Sequence, residues 1–266
     1  MNEYRFDDKK HVHLLDGSPL IGTSSMASVL AKGGLTYWAS GLACAKFGWT
    51  NKGNAKTGWT PKEKRLINSI EHRHKISELS DEDYLKLLDE AYSAHATKLK
   101  TSASDGTDMH AVMEEYVKTC IDKFGGKPCQ QEGASPKLKI LIDWAMKNVK
   151  RFIWSEVNCY SRKLWLGGIS DVGYEDMEGK YVILDFKSSK EVYLSQFWQC
   201  IGYAIQLEEN GGFTPDGVKV LSLDKPISYV AILPFGMEKP EVQYNYDMEG
   251  GKNAVESMLT LYKKLN

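Results

Sequence analysis

Three acids and one lysine in the middle of the chain have the types and spacing to bind a cation and act on a phosphate. Asp185 and Lys187 lie two residues apart in an apolar run, so the two-residue period of a strand places them side by side on one face. Asp171 precedes them on an adjoining strand, and Glu114 lies on an earlier helix. Clustered carboxylates destabilise a fold unless a cation neutralises them. Convergence of these acids would therefore imply a hard divalent metal, Mg²⁺ or Mn²⁺, with oxygen ligands.

The same alternation has a second interpretation, in which Asp185 and Lys187 form the solvated outer face of an antiparallel hairpin. The pattern alone does not separate the two. If the acids converge, bound metal ions activate a water and stabilise charge on a leaving oxygen, and Lys187 orients the water or offsets charge. That arrangement indicates phosphodiester hydrolysis.

The spacing of the apolar residues predicts the elements that position these side chains. A helical repeat covers most of the first 150 residues, and the two-residue repeat of strands follows. One further helix lies between the strands, and another helix comes after the last strand. We predict helices over 24–47 with a break at Gly33 and Gly34, 61–79, 81–100, 107–123, after Pro136, 195–209 and from 251. We predict strands over 151–160, 163–174, 181–187, 218–223 and 227–233.

This order of elements predicts an α/β protein of the α+β kind, with a central mixed β-sheet flanked by helices and a mainly helical N-terminal elaboration. We expect one domain over 1–266. Within it, 1–100 is the helical elaboration, 101–240 the catalytic core and 241–266 the C-terminal helix.

Ser80 is placed to cap the helix over 81–100, whose acids crowd the first turn and whose lysines crowd the last. The periodicity predicts a buried stripe on this helix, made of Tyr84, Leu87, Leu88 and Tyr92.

The helix over 107–123 carries His110 and Glu114 one turn apart on the same face. Asp105 or Thr107 is placed to cap it. Glu115 competes with Glu114 for the role of functional acid, but it points about a third of a turn away from His110.

The composition describes a folded chain without a membrane span. Its 266 residues are 42% hydrophobic and 26% charged, and the longest apolar runs fall far short of the roughly 20 residues that cross a bilayer. The first residues lack the apolar core of a secretion signal, so we expect a cytoplasmic protein. The cysteines form no C-x-x-C pair, which favours reduced thiols over a disulfide framework or a zinc site; they are Cys44, Cys120, Cys129, Cys159 and Cys200.

The formal net charge is −1, so binding to nucleic acid must depend on a local patch. Residues 46–75 are locally basic and contain Trp49 and Trp59, which suits phosphate contacts and base stacking or, equally, a solvated helix with two core tryptophans. The cations of this segment are Lys46, Lys52, Lys56, Lys62, Lys64, Arg65, Arg73 and Lys75, against Glu63 and Glu71.

Four elements in order resemble the PD-(D/E)xK nuclease superfamily. Ser170-Asp171, a hairpin and Asp185-Phe186-Lys187 resemble its central motif, with Ser for the nominal Pro and Asp for the commoner Glu. The helix GTDMHAVMEEYV is similar to its first motif, and QCIGY at Gln199–Tyr203 is similar to the QxxxY motif of one branch. That branch contains phage lambda-type exonucleases and the nuclease domains of bacterial recombination helicase-nucleases. The resemblance covers about 106–203.

The resemblance implies a restriction-endonuclease-like core and a DNA exonuclease of recombination, repair or phage DNA metabolism. It implies that Asp171, Asp185 and the carbonyl of Phe186 bind the metal, with Glu114 direct or through water. His110 is a ligand in some members of the branch, and Glu156 is a weaker candidate acid. The resemblance further implies that Gln199 and Tyr203 contact DNA or brace Lys187, and that Ser188 contacts the substrate.

Departures from the resemblance narrow the cofactors. Several relatives hold an iron-sulfur cluster with cysteines after the QxxxY helix, but here none follows Cys200, so we expect no cluster. A nucleotide-binding G-x-x-x-x-G-K-[ST] loop is also absent from the sequence. The alternatives are a restriction- or resolvase-type endonuclease and a catalytically inactive DNA-binding protein. The sequence leaves open the choice between DNA and RNA, strand polarity, the oligomeric state, and whether a helicase or annealing protein delivers the substrate.

Overall fold

The computed structural model describes residues 3–30, 35–50 and 60–266. These residues form two compact units: the first comprises Met1–Leu30 and Gly106–Asn266, and the second comprises Ala31–Asp105. The candidate site acids Glu114, Glu156, Asp171 and Asp185 all belong to the first unit. The predicted elaboration over 1–100 differs from this division because residues 1–30 belong with the core.

The first unit begins with short strands rather than helices. They are β1 Tyr4–Asp7, β2 Val12–Leu15, β3 Ser18–Pro19 and β4 Ile21–Gly22, followed by the short helix α1 Thr23–Ala27. Strands β1, β2 and β3 form a sheet of three antiparallel strands. The sequence predicted no strand over these residues, where side chains of β1 and β2 are alternately buried.

The second unit contains helices α2 Leu35–Lys46 and α3 Pro61–Ser77 and the first part of α4 Asp81–Phe124. Thr60 and Glu63 form a reciprocal capping box, and Pro61 occupies the first turn, so the predicted start of α3 is confirmed. Ser80 Oγ accepts a hydrogen bond from the N–H of Asp83, which confirms the predicted cap of α4.

Helix α4 is continuous, so the predicted break between 100 and 107, with a cap at Asp105 or Thr107, is wrong. Gly106 in its interior costs about 1 kcal/mol relative to alanine, which does not end a helix. The predicted buried stripe on α4 is also wrong, because Tyr84, Leu88 and Tyr92 are exposed. Between Tyr84 and Tyr92, Ala91 is the buried residue. Glu90 beside it pairs with Lys46 of α2 at 2.8 Å.

The basic segment lies only partly within the described residues. Lys52, Lys56 and Trp59 lie outside them, as do Gly33 and Gly34. The remaining cations of α3 are half-buried or exposed side chains along the helix, and Trp49 is exposed. The interpretation of this segment as a nucleic-acid contact stays a prediction.

The rest of the first unit follows the predicted order. Its elements are α5 Pro136–Asn148, β5 Val149–Ser161, β6 Leu166–Asp176, β7 Tyr181–Lys187, α6 Leu194–Asn210, β8 Gly212–Phe213, β9 Lys219–Leu221, β10 Ile227–Pro234, β11 Gln243–Asn245 and α7 Met248–Leu265. The predicted strands and helices of this part are confirmed within a few residues. Strands β8 and β11 were not predicted, since two or three residues carry no periodicity.

These strands form one mixed sheet in the order β11-β10-β7-β6-β5-β8-β9, and β4 pairs with β6. Strands β7 and β10 run parallel, as do β4 and β6, while the other pairs are antiparallel. Helices α4 and α5 pack on one face and helices α1, α6 and α7 on the other. The predicted α+β class, a central mixed sheet flanked by helices, is confirmed.

Strand β7 lies inside this sheet and is covered on both faces. Leu184 packs towards α4 and α5, while Ile183 packs towards α6 and α7. Asp185 is only 1% exposed. The interpretation of Asp185 and Lys187 as a solvated outer face is therefore wrong, because no residue of β7 before Lys187 reaches solvent. Among the described residues, no helix has both the length and the apolar character of a membrane span.

A different acid, Glu175 near the end of β6, is neutralised by surrounding cations. Its carboxylate accepts from Arg151 Nε at 2.6 Å and from Lys150 Nζ at 3.0 Å, and Lys225 Nζ lies 3.6 Å away. The hydrogen bonds from Arg151 and Lys150 lower the pKa of Glu175 from 4.5 to about 2. This stabilisation is fully present above pH 4.5 and is lost as the pH falls towards 2.

We predict that Glu175→Gln lowers the free energy of unfolding by about 1 kcal/mol at neutral pH, because charge-assisted hydrogen bonds are lost. The difference from the unsubstituted protein should shrink as the pH falls from 4.5 towards 2. Urea unfolding followed by circular dichroism over this range measures it. Glu178→Gln is the matched control, since exposed Glu178 pairs with exposed Lys180 alone among the salt bridges of the described residues and such pairs contribute little. A difference that does not depend on pH would contradict the role given to the Glu175 charge.

Candidate functional site

The register of β6 and β7 brings two predicted acids together. Val172 pairs with Leu184 in antiparallel register, and one further step places Asp171 opposite Asp185 on the same face. The two strands remain joined there, because the N–H of Phe186 donates to Asp171 Oδ2 at 2.9 Å. The spacing of neighbouring strands thus brings a buried carboxylate and a partly buried one side by side.

A third acid extends this row across the sheet. Strand β5 pairs with β6 in regular register on both sides of Glu156, which places Glu156 opposite Asp171. Three adjacent strands thus contribute Glu156, Asp171 and Asp185 at one level. We call these three residues the acid row.

An imidazole and an ammonium lie against the acid row. His110 Nε2 of α4 is 3.0 Å from Asp171 Oδ2, and Lys187 Nζ is 2.6 Å from Asp185 Oδ2. The ring of His110 also packs edge-on against Phe186, with centroids 5.5 Å apart. Asp171 therefore has an imidazole neighbour, and Asp185 has an ammonium neighbour.

Burial and charge act in opposite directions on these groups. Burial acts to raise the pKa of Asp171, but His110, Lys187 and the Phe186 N–H outweigh it and hold that pKa below its ordinary value. Burial raises the pKa of Asp185 to about 6; Lys187 opposes the rise and Asp171 adds to it. Burial acts to lower the pKa of Lys187, but both acids raise it, so the amine is an ammonium ion.

Glu114 reaches the acid row through Glu156. It is half-buried on α4, where Lys118, one turn on, forms an ion pair with it. Partial burial of the Glu156 carboxyl raises its pKa to about 7, and the adjacent Glu114 adds to the rise, although Glu156 as a whole residue is exposed. Glu115 is exposed. The sequence predicted Glu114, Asp171 and Asp185 at one point; the structure places Asp171 opposite Asp185 and Glu114 next to Glu156.

The backbone at Glu156 supports a special role for this residue. Its φ is 48°, a left-handed value inside a strand, whereas the other non-glycine residues with positive φ are His11, Asp16 and Trp165 among the described residues. Such a conformation costs on the order of 1 kcal/mol and concentrates at functional sites. On the sequence, a lone acid on a strand is typical of a surface, which makes Glu156 a weaker candidate. Its place beside Asp171 depends on the register of β5 and β6, which the strand pattern does not determine.

Helix α6 closes the side of the row next to β7. Gln199 Nε2 donates a hydrogen bond to Tyr203 Oη at 2.5 Å, so the two predicted residues are in direct contact. Tyr203 is 5% exposed, and the charges of Asp185 and Asp171 contribute, after burial, to its raised pKa. This burial favours the bracing role for Tyr203. Exposed Ser188 follows Lys187 directly, and its substrate contact stays a prediction.

The donor types of the acid row suit a hard divalent cation. Asp185 Oδ2 is buried, and its neighbour within the described part of the chain is the ammonium of Lys187 at 2.6 Å. Carboxylate and carbonyl oxygens are the ligands that Mg²⁺ and Mn²⁺ prefer. As the side chains stand, however, no group of three or more His, Cys, Asp or Glu in the described ranges is arranged to hold a metal.

A cleft of about 240 Å³ opens beside this site. Its lining includes Lys118 and Asp122 of α4 and, on β5, Ser155 and Val157, which flank Glu156. The lining is of mixed polarity, and it includes the Lys118 that pairs with Glu114.

No protein-family model matches the chain, and no curated protein matches it either.

We predict that Gly168→Ala disturbs Tyr203. A Cβ at Gly168 would lie 2.5 Å from Tyr203 Cε1 and 2.9 Å from Thr23 Oγ1, which the buried ring cannot avoid without moving. Overpacking of this kind costs about 1–3 kcal/mol in the free energy of unfolding, measured by urea denaturation. Gly41→Ala in α2 is the matched control, because a Cβ there meets nothing within 4 Å. It should leave the stability unchanged or raise it by up to about 1 kcal/mol. Equal stability of the two variants would show that Tyr203 is not tightly packed against Gly168 of β6.

Proposed function

We propose that the chain is a divalent-metal-dependent deoxyribonuclease that hydrolyses phosphodiester bonds from DNA ends, with a restriction-endonuclease-like core. The observation that carries the proposal is the pair of Asp171 and Asp185 on neighbouring strands, with Lys187 beside them and Asp185 buried. A binding protein gains nothing from buried acids that face phosphates, whereas a hydrolase needs them for a cation.

In this proposal the metal is held by Asp171, Asp185 and the Phe186 carbonyl, with Glu114 and His110 nearby. When bound, Mg²⁺ or Mn²⁺ supplies a polarised water and charge stabilisation at the leaving oxygen. Lys187 is an ammonium ion held by two carboxylates, so it orients and stabilises charge and does not act as a base. Tyr203 keeps α6 in place against the row.

Glu156 and Lys118 extend the proposed machinery towards the cleft. Glu156 lies opposite Asp171 and next to Glu114, and Lys118 offsets the charge of Glu114. Lys118 also lines the cleft, where an ammonium suits a phosphate of the substrate strand. The cytoplasm, DNA as partner and a role in recombination, repair or phage DNA metabolism belong to the same proposal.

We predict that the purified protein degrades linear DNA with Mg²⁺ or Mn²⁺ and loses this activity in EDTA. Lys187→Ala and Asp185→Asn should each lower the rate at least about 100-fold, because each removes charge from the reacting centre. Release of labelled nucleotides from end-labelled DNA measures the rate. Lys180→Ala is the control, since Lys180 pairs with exposed Glu178 near the β6–β7 turn and should keep the rate within about twofold.

The substrates in the same assay separate the alternatives. An end-dependent enzyme leaves covalently closed single-stranded circles whole, whereas an endonuclease cuts them. Full activity of both Lys187→Ala and Asp185→Asn would remove the proposed site. Binding of DNA in EDTA without cleavage of any DNA or RNA form would favour a binding protein instead.

We predict that Glu156→Gln lowers the rate of DNA degradation at least about tenfold, because it removes the negative charge next to Glu114 and Asp171. Glu115→Gln is the matched control on exposed α4 surface and should keep the rate within about twofold. The two variants are compared at saturating metal and over a metal titration. If both behave like the unsubstituted enzyme, Glu156 is a surface acid and the site ends at Asp171.

A further inference from the structure

Two cysteines outside the acid row lie in contact at the end of α4. Cys120 is in the last turns of the helix and Cys129 is in the loop that follows, and their Sγ atoms are 3.7 Å apart. Cys120 is fully buried, whereas Cys129 is partly accessible to solvent. The structure therefore presents a thiol pair with one inner and one outer member.

Hydrogen bonds hold the loop against the helix. Tyr116 Oη donates to the carbonyl of Cys129 at 3.0 Å and accepts from its N–H at 3.3 Å. The N–H of Gly126 donates to the carbonyl of Cys120 at 2.9 Å. Gly126 in turn accepts from the N–H of Phe152 at 2.7 Å, which joins the loop to β5.

Gly126 makes this close approach of loop and strand possible. Its φ is 86°, and a Cβ there would lie 2.3 Å from the carbonyl oxygen of Phe152. Only glycine adopts this conformation at so short a separation. The two thiols are thus neighbours because the backbone on both sides is fixed, and their sulfurs, now 3.7 Å apart, must approach to about 2.05 Å to form a bond.

We propose that Cys120 and Cys129 are a redox-modification site, which a peroxide converts into an intramolecular disulfide. The Cys129 thiolate attacks hydrogen peroxide, breaks the O–O bond and becomes a sulfenic acid as hydroxide leaves. The Cys120 sulfur then attacks the Cys129 sulfur, the S–S bond forms and water leaves. Overall, two thiols and one hydrogen peroxide give one disulfide and two waters.

The environments of the two sulfurs determine this order. Burial raises the pKa of Cys120 to about 11, so it is a thiol at neutral pH and reacts poorly with a peroxide in solution. Cys129 is the sulfur that solvent reaches. Cys120 reacts only with the sulfenic acid of Cys129, whose sulfur it already contacts. The inference does not depend on the nuclease proposal.

The test uses the full chain carrying Cys44→Ser, which removes an exposed thiol able to link molecules. The reduced protein is treated with hydrogen peroxide, its remaining thiols are alkylated, and it is digested with trypsin and weighed. Cleavage after Lys118, Lys123 and Lys137 puts the two cysteines on separate peptides, 119–123 and 124–137. We expect these peptides to be joined at about 2 Da below their summed reduced mass, and dithiothreitol to separate them.

Two further measurements make the outcome decisive. Adding Cys129→Ser must abolish the joined peptide. In the oxidised parent, the amides of 124–129 should exchange with deuterium at least about fivefold more slowly than in the reduced parent, because the disulfide ties the loop to α4. The joined peptide is read on the parent protein, so it does not depend on how the variant folds. Separate alkylation of both cysteines, or sulfinic acid on Cys129 with Cys120 alkylated, would overturn the proposal.

Discussion

The first unit depends on two carboxylates side by side in its sheet, Asp185 buried and Asp171 partly buried. Asp185 lies on a strand whose two faces are both covered by helices, and Asp171 lies opposite it on the neighbouring strand. Desolvation of a carboxylate costs several kcal/mol unless charge and hydrogen bonds offset it. The ammonium of Lys187, the imidazole of His110 and the N–H of Phe186 supply that compensation. These groups come from two elements: Phe186 and Lys187 lie at the end of β7, and His110 lies on α4.

The same sheet contains acids in two contrasting settings. Glu175 is surrounded by exposed cations that bond its carboxylate directly, and its pKa falls to about 2. Asp185 has a cation as close, but deeper burial and a second carboxylate raise its pKa to about 6. The first arrangement gives one carboxylate three cations within 3.6 Å. The second sets a buried carboxylate beside a single ammonium and a second carboxylate, and that difference distinguishes a structural ion pair from a group able to accept a ligand.

Much of the first unit was predictable from periodicity, because long strands and helices with a clear apolar face leave strong patterns. The strand alternation around Asp185 and the turn spacing of His110 and Glu114 were enough to find most of the candidate site. The order of acids along the row was not predictable, since it depends on which residues of β5 and β6 lie opposite each other. That register brought Glu156 into the site. The N-terminal strands and the continuous α4 were missed because two- to four-residue strands and a tolerated interior glycine carry weak local signals.

The contact between Asp185 and Lys187 has a consequence for how this protein can be improved or can diverge. Replacing both side chains together by apolar side chains of similar size would remove two desolvated charges, and such double replacements are often neutral or stabilising, whereas replacing one alone leaves the other charge unpaired. Selection for robustness alone would therefore favour loss of the pair as a unit. A lineage in which the pair persists at the expense of thermal tolerance is one in which the two charges are being used.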